Sequence, residues 1–142
     1  MPTMKQSIRS HCPIGFALDV FGDKWTLLIV RDLLFKGKRR YGEFADSEEG
    51  IATNILADRL VKLERHGLIT RVADSSGARS REYALTEKAI DLAPMLVEII
   101  LWSAKHDPKS AADRGFVRRA RAHREQLIAE IRAAVSKTVG RR

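Results

Sequence analysis

The 142-residue sequence predicts a mainly α domain carrying one small β-hairpin, an α+β arrangement. Three observations predict it. From Gly50 to Arg71 the apolar residues Ile55, Leu56, Leu60 and Leu63 recur at helical spacing on one side. Directly after them, LITRVAD and REYALT read as two short strands, separated by SSGARS, whose glycine and serines suit a hairpin tip. On either side of this unit the apolar pattern has the helical period.

The elements follow in chain order. Residues 1–11 read as a flexible N-terminal arm. Pro13 suits the first position of a helix running to Phe21, which Gly22-Asp23 breaks. Asp23 is placed to cap the next helix, Lys24 to Phe35. That helix is apolar on nearly every side, so it reads as a buried strut, with Trp25 in the core and Arg31 and Asp32 on its wetter side. KGKRR (Lys36 to Arg40) is a basic turn. A short helix, Tyr41 to Ala45, faces Tyr41 and Phe44 inward, and the polar turn DSEEG leads into the Gly50 helix. Gly67 stands where a left-handed residue ends that helix. Helix, turn, helix and then a hairpin make a winged helix-turn-helix. Thr86 caps a long helix to His106, with Pro94 inside it as a kink. Its apolar surface exceeds what one small domain needs, so a partner subunit is expected to bury the rest. Residues 111–138 form a final helix whose stripe includes Phe116, Val117, Ala120, Leu127, Ile128, Ile131, Ala134 and Val135.

Composition limits the function. No early apolar segment approaches membrane-spanning length and no signal-peptide core is visible, so the chain is expected in the cytoplasm, away from any membrane. One cysteine excludes an internal disulfide, and it shows no zinc spacing with the four histidines. No cofactor or metal is expected. No nucleophile–base pair or phosphate-cradling glycine loop argues for an enzyme. The net charge of +8 favours a polyanionic partner. The charge is uneven: residues 107–142 hold ten Lys/Arg against four Asp/Glu, whereas residues 1–106 hold sixteen against fourteen. Basicity alone is therefore weak support for DNA binding. Opposite the apolar stripe of the Gly50 helix lie Thr53, Asn54, Ala57, Asp58 and Val61, with Lys62 at the margin. Such short side chains suit close approach to a major groove, and equally an ordinary surface helix.

With these elements in place, the chain resembles the HxlR family of bacterial winged-helix transcriptional regulators, relatives of the MarR group. The matching words are CPIGFALDVFGDKWTLLIVRDLLFKGKRRYGEF, GIATNILADRLVKLERHGLI and REYALTEKA, then LAPML and the Trp102 helix, over roughly residues 12–106. The resemblance implies a homodimer bound to a roughly palindromic operator in double-stranded DNA, with C-terminal helices serving dimerisation. It places residues 52–66 in the major groove and residues 74–81 as the wing. Ala52 departs from the serine that usually caps this helix, so either Thr53 takes that role or the cap is lost. Residues 107–142, a basic helical extension, lie beyond the resemblance. They read as a dimer clasp first, with a DNA-flanking arm or a disordered tail as the alternatives.

The resemblance and the chemistry of the side chains together name a site. Thr53, Asn54, Ala57 and Asp58 are placed to meet base edges. Asn54 suits adenine; Asp58 either accepts from cytosine or repels phosphate. Arg59 is either an ion-pair or a phosphate residue. Lys38, Arg39, Arg40, Lys62, Arg79 and Arg81 are phosphate candidates, which position the protein without reading sequence. Cys12 opens a helix beside His11, a setting that favours thiolate. It is either a thiol sensor of oxidants and electrophiles, as the resemblance implies, or a packing residue at the dimer seam. A small-molecule effector is the other modulator such regulators take. A winged helix serving protein–protein or RNA contact is the rival function.

Overall fold

The computed structural model describes residues 10–73 and 79–139. The expected N-terminal arm and the hairpin tip lie largely outside these. Ten elements follow in order: α1 (Pro13–Phe21), α2 (Thr26–Phe35), α3 (Tyr41–Ala45), α4 (Thr53–Arg65), β1 (Ile69–Ala73), β2 (Arg79–Leu85), α5 (Glu87–Ile90), α6 (Ala93–His106), α7 (Arg114–Ala122) and α8 (Arg124–Val139). The strands pair antiparallel, Ile69 opposite Leu85 and Arg71 opposite Tyr83, with the register shifting at Val72/Ala73. The α+β expectation holds.

The core forms where α2 passes beneath the helix-turn-helix. Ile29, Val30, Leu33 and Leu34 of α2 meet Phe44, the Leu56/Leu60/Leu63 stripe of α4, and Leu68, Ile69 and Leu85 of the hairpin. α2 is the expected strut, but it starts two residues later than Lys24. The Asp23 carboxylate still caps its entry: Oδ1 accepts from the amides of Trp25 (2.8 Å) and Thr26 (3.0 Å). α1 ends at Gly22, where a Cβ would lie 2.3 Å from the Leu18 carbonyl oxygen, so no side chain fits. Gly67 adopts φ +74° as expected, and the Leu68 amide turns back to the Leu63 carbonyl at 2.9 Å.

Four expectations need correction. Asp32 is buried, at 2% exposure, not on a wet face. Its charge is met by Arg31 at 2.8 Å and Lys38 at 3.6 Å, which is how a carboxylate survives in a core. The helix from Thr86 to His106 is two helices. Thr86 caps only the one-turn α5, and Pro94 sits in the first turn of α6, where its missing N–H costs nothing, rather than at a kink. The final helix is also two, broken at His123, with α7 starting at Arg114. Finally, much of the stripe of α7 and α8 is covered by this chain itself. Val97, Ala120, Leu127 and Ile128 form a second cluster over α6, and Ile131 and Val135 pack on the main core near α2 and β2. Much of that stripe is thus packed in cis, while Ala134 stays exposed. The exposed apolar residues stand elsewhere: Ile14, Phe16 and Leu18 on α1, Ile99 and Trp102 on α6, and Val61 on α4.

KGKRR is more than a turn. The Tyr83 amide donates to the Arg39 carbonyl at 2.8 Å, and Arg40 makes a bridge to Glu82, so the segment lies along the free side of β2.

Candidate nucleic-acid interface

The helix-turn-helix is held by named contacts. Phe44 of α3 is 1% exposed and meets the Tyr83 ring edge-on, with centroids 6.2 Å apart. The Tyr41 hydroxyl donates to the Thr53 carbonyl at 2.8 Å, tying the start of α3 to the start of α4. The turn between them is braced from α2. The Arg31 guanidinium donates to both Glu49 oxygens, at 2.7 and 3.0 Å, and also to Asp32. This forked bond from Arg31 holds the Glu49 carboxyl down to about 2. Gly50 takes φ +68°, the left-handed conformation that a sharp entry to α4 requires. At the far end, Lys88 Nζ donates to the His66 carbonyl at 2.7 Å, and Thr86 Oγ1 donates to the Gly67 carbonyl.

Held this way, α4 turns Leu56, Leu60 and Leu63 inward and leaves Thr53, Asn54, Ala57, Asp58, Val61 and Lys62 exposed. Its leading end is slim. The N-cap residue Ala52 has extended backbone and no side-chain cap bond, so the cap is lost and Thr53 is simply the first helical residue. Within the described residues the Thr53 and Asn54 side chains have no hydrogen-bond partner, whereas Asp58 is engaged by Arg59 and by Lys62 Nζ at 3.4 Å.

Arg59 is half-buried. Its Nε donates to Asp23 Oδ1 at 3.0 Å, and its Nη1 reaches Asp58. Of the two roles open to it, the ion pair is the one its geometry fills. Both carboxylates hold its pKa above the ordinary arginine value, Asp23 foremost. Asp23 is lowered to about 2: partial burial opposes its ionisation, but bonds from the Thr26 hydroxyl, the Trp25 amide and Arg59 prevail. Sequence reasoning recognised Asp23 as a cap and missed its reach to α4; no spacing rule links residues so far apart.

The other cations are scattered around this face. Lys38 leans toward Asp32, and Arg40 Nη2 lies 3.2 Å from Glu82. Arg39 is partly exposed, and among the described residues its side chain makes no ion pair. Arg79 opens β2; the side chains of Arg79 and Arg81 lie outside the described residues.

Cys12 is exposed, far from α4 in sequence, at the start of α1. It makes no capping bond, but the Gly15 and then the Ile14 amides face the sulfur and hold the thiol below its ordinary range, against slight desolvation. Among the described residues no group of three His, Cys, Asp or Glu could hold a metal ion, and no helix is long and apolar enough to cross a membrane.

Comparison with known proteins agrees with this geometry. The HxlR-like helix-turn-helix family matches residues 20–111. The uncharacterised HTH-type transcriptional regulator sll1512 of Synechocystis sp. is 38% identical over 86 residues, 61% of this chain and 63% of the relative. The chain thus spans a little under two thirds of that relative's length. The crystal structure of PA1607, provisionally named a transcription factor, is 44% identical with a TM-score of 0.65, over 75% of this chain and 74% of that one. The redox regulator HypR in its oxidised form is 31% identical with a TM-score of 0.58, over 66% and 96%. The chain belongs to the HxlR-like helix-turn-helix family.

Proposed function

We propose that this protein is a sequence-specific, homodimeric transcriptional regulator of double-stranded DNA, reading a roughly palindromic operator through residues 52–66, with the wing at 74–81. The observation that carries this reading is the exposed face of α4, slim at its leading end, with Thr53 and Asn54 uncommitted, and backed by a buried leucine stripe. An α-helix of that profile fits a major groove, and phosphate contacts from Lys38, Arg39, Arg40, Lys62, Arg79 and Arg81 set its register. Pairing through the apolar faces of α1 and α6 presents two such helices to one duplex. Asn54 and Thr53 are the base readers; Asp58, already engaged by Arg59 and Lys62, acts against misplaced phosphates. The test is fluorescence anisotropy against the chain's own upstream region and a scrambled duplex, at several salt concentrations. Tight, steeply salt-dependent preference for the former supports the reading. A shallow, sequence-blind isotherm favours the protein- or RNA-contact alternative.

We infer that Cys12 modulates this binding. The exposed thiol with depressed pKa supports it, as does similarity to HypR, itself a redox regulator. Diamide takes two electrons and two protons from a pair of Cys12 thiols, leaving an intersubunit disulfide. Non-reducing electrophoresis and operator binding, run beside Cys12→Ser, decide it; identical behaviour of the two proteins removes Cys12 from the mechanism.

A further inference from the structure

The extension beyond the family match carries two kinds of arginine. Arg119, Arg124 and Arg132 are each paired, with Glu130, Glu98 and Asp91 respectively, and these pairs fasten α7 and α8 to each other and to the domain. Arg114, Arg118 and Arg121 are exposed and, among the described residues, meet no carboxylate. Their spacing, four and then three residues, puts them on one face of α7. That face forms one wall of an open cleft of about 450 Å³, bordered on the other side by the end of α6 and the loop through Pro108 and Ser110, with Val117 in its lining.

We propose that this cleft is an anion-binding site for a compact, multiply charged small molecule, a phosphate ester or a polycarboxylate. Three arginines line it against one acid, Asp107, whose Oδ1 is already engaged by the Lys109 amide at 3.0 Å. Guanidinium forks bind such oxyanions through paired, charge-assisted hydrogen bonds. The Ser110 oxygen accepts from the Ala112 amide at 3.2 Å, which leaves its hydroxyl proton to donate into the cleft. The volume lies in the range of small-ligand pockets, and an open cleft of this size suits a compact anion better than the long convex ridge of a duplex. Ala104, in the cleft wall, lies roughly 200° around α6 from exposed Trp102, so a partner seated on Trp102 leaves the cleft accessible. The site stands on α6 and α7, whereas α4 packs on α3 and β1, so it is independent of how the protein meets DNA.

The test is titration calorimetry of the full chain with inorganic pyrophosphate and with citrate, in low-salt, phosphate-free buffer. Saturable one-to-one binding is expected, and the tighter of the two probes names the ligand class. R118Q and R121Q should each weaken it about tenfold, R118K less, and R132Q, the same charge change outside the cleft, by under about twofold. Unchanged helical circular dichroism certifies the fold, and R118K serves if R118Q unfolds. Absence of saturable heat with both probes overturns the proposal. So does equal weakening by R132Q, which means diffuse charge. Loss of duplex affinity in R118Q without anion binding by wild type also overturns it, and makes the arginines a DNA-flank contact instead.

Discussion

Arg59 of α4 donates its Nε to Asp23 Oδ1 at 3.0 Å, joining the exposed helix of the helix-turn-helix to the junction between α1 and α2. Asp23 serves both sides: it caps α2 through the Trp25 and Thr26 amides and receives α4 through Arg59. Removing it should therefore cost more than removing its partner. Asp23→Ala is expected to destabilise by about 2 kcal/mol, mostly lost cap. Arg59→Met should cost about 0.5 kcal/mol, because solvent screens a pair that is a third exposed. Urea denaturation of both variants and their double mutant gives the coupling; equal single-site losses would contradict the dual role.

Acid should loosen this architecture in a defined window. Asp23 and Glu49 are both lowered to about 2, Asp23 by the bonds that outweigh its partial burial, Glu49 by Arg31. A carboxylate with depressed folded pKa contributes stability that is full above its unfolded pKa and disappears as pH falls through the folded one. Stability is thus expected to decline from the ordinary carboxylate range down to about pH 2. His66 has the same sign at higher pH: burial first, then Lys88, Arg65 and Lys62, hold it below its ordinary value, so protonation disfavours the fold. Thermal melts from pH 7 downward check both; Glu49→Gln should flatten the acid limb.

The second cluster makes the extension part of the folded domain. Leu127 is 5% exposed and Ile128 7%, packed with Val97 of α6. Leu127→Ala is expected to cost about 2–4 kcal/mol. A change under about 0.5 kcal/mol, as on a free surface, would place α8 away from the core.

Trp102, 68% exposed beside Ile99, tests the pairing face. Trp102→Asp should shift sedimentation at micromolar concentration toward the monomer, with little change in the melting of the separated chain. A dimer that survives this substitution uses another surface.

Wing contacts are tested by salt. Arg79→Ala should weaken binding to all duplexes alike and reduce the salt slope by about one. A slope matching wild type would take Arg79 out of the phosphate set.

The periodic features were legible in the sequence. The α4 stripe, its end at Gly67 and the hairpin after it follow from local spacing and backbone chemistry. What escaped depends on contacts across the chain. Asp32 read as wet because a carboxylate on an apolar helix signals exposure until Arg31 and Lys38 are seen to close around it. The break at His123 carries no glycine or proline; it lies where α7 and α8 fold back over α6, with Arg124 drawn to Glu98. The stripe of α8 could be read, but not its owner: periodicity shows that a face will be covered, not by which molecule. Within the site, exposure of Thr53, Asn54 and Ala57 was legible, while the engagement of Asp58 and Arg59 was not.

The two tryptophans sit in opposite surroundings. Trp25 packs against the main core beneath Lys24, and Trp102 stands in solvent with its ring 5.1 Å from that of His106. Their emission spectra differ accordingly, and an aqueous quencher such as iodide reaches Trp102 first. A Trp25→Phe protein thus carries one tryptophan, whose emission wavelength reports directly whether that side of the molecule is wet or covered.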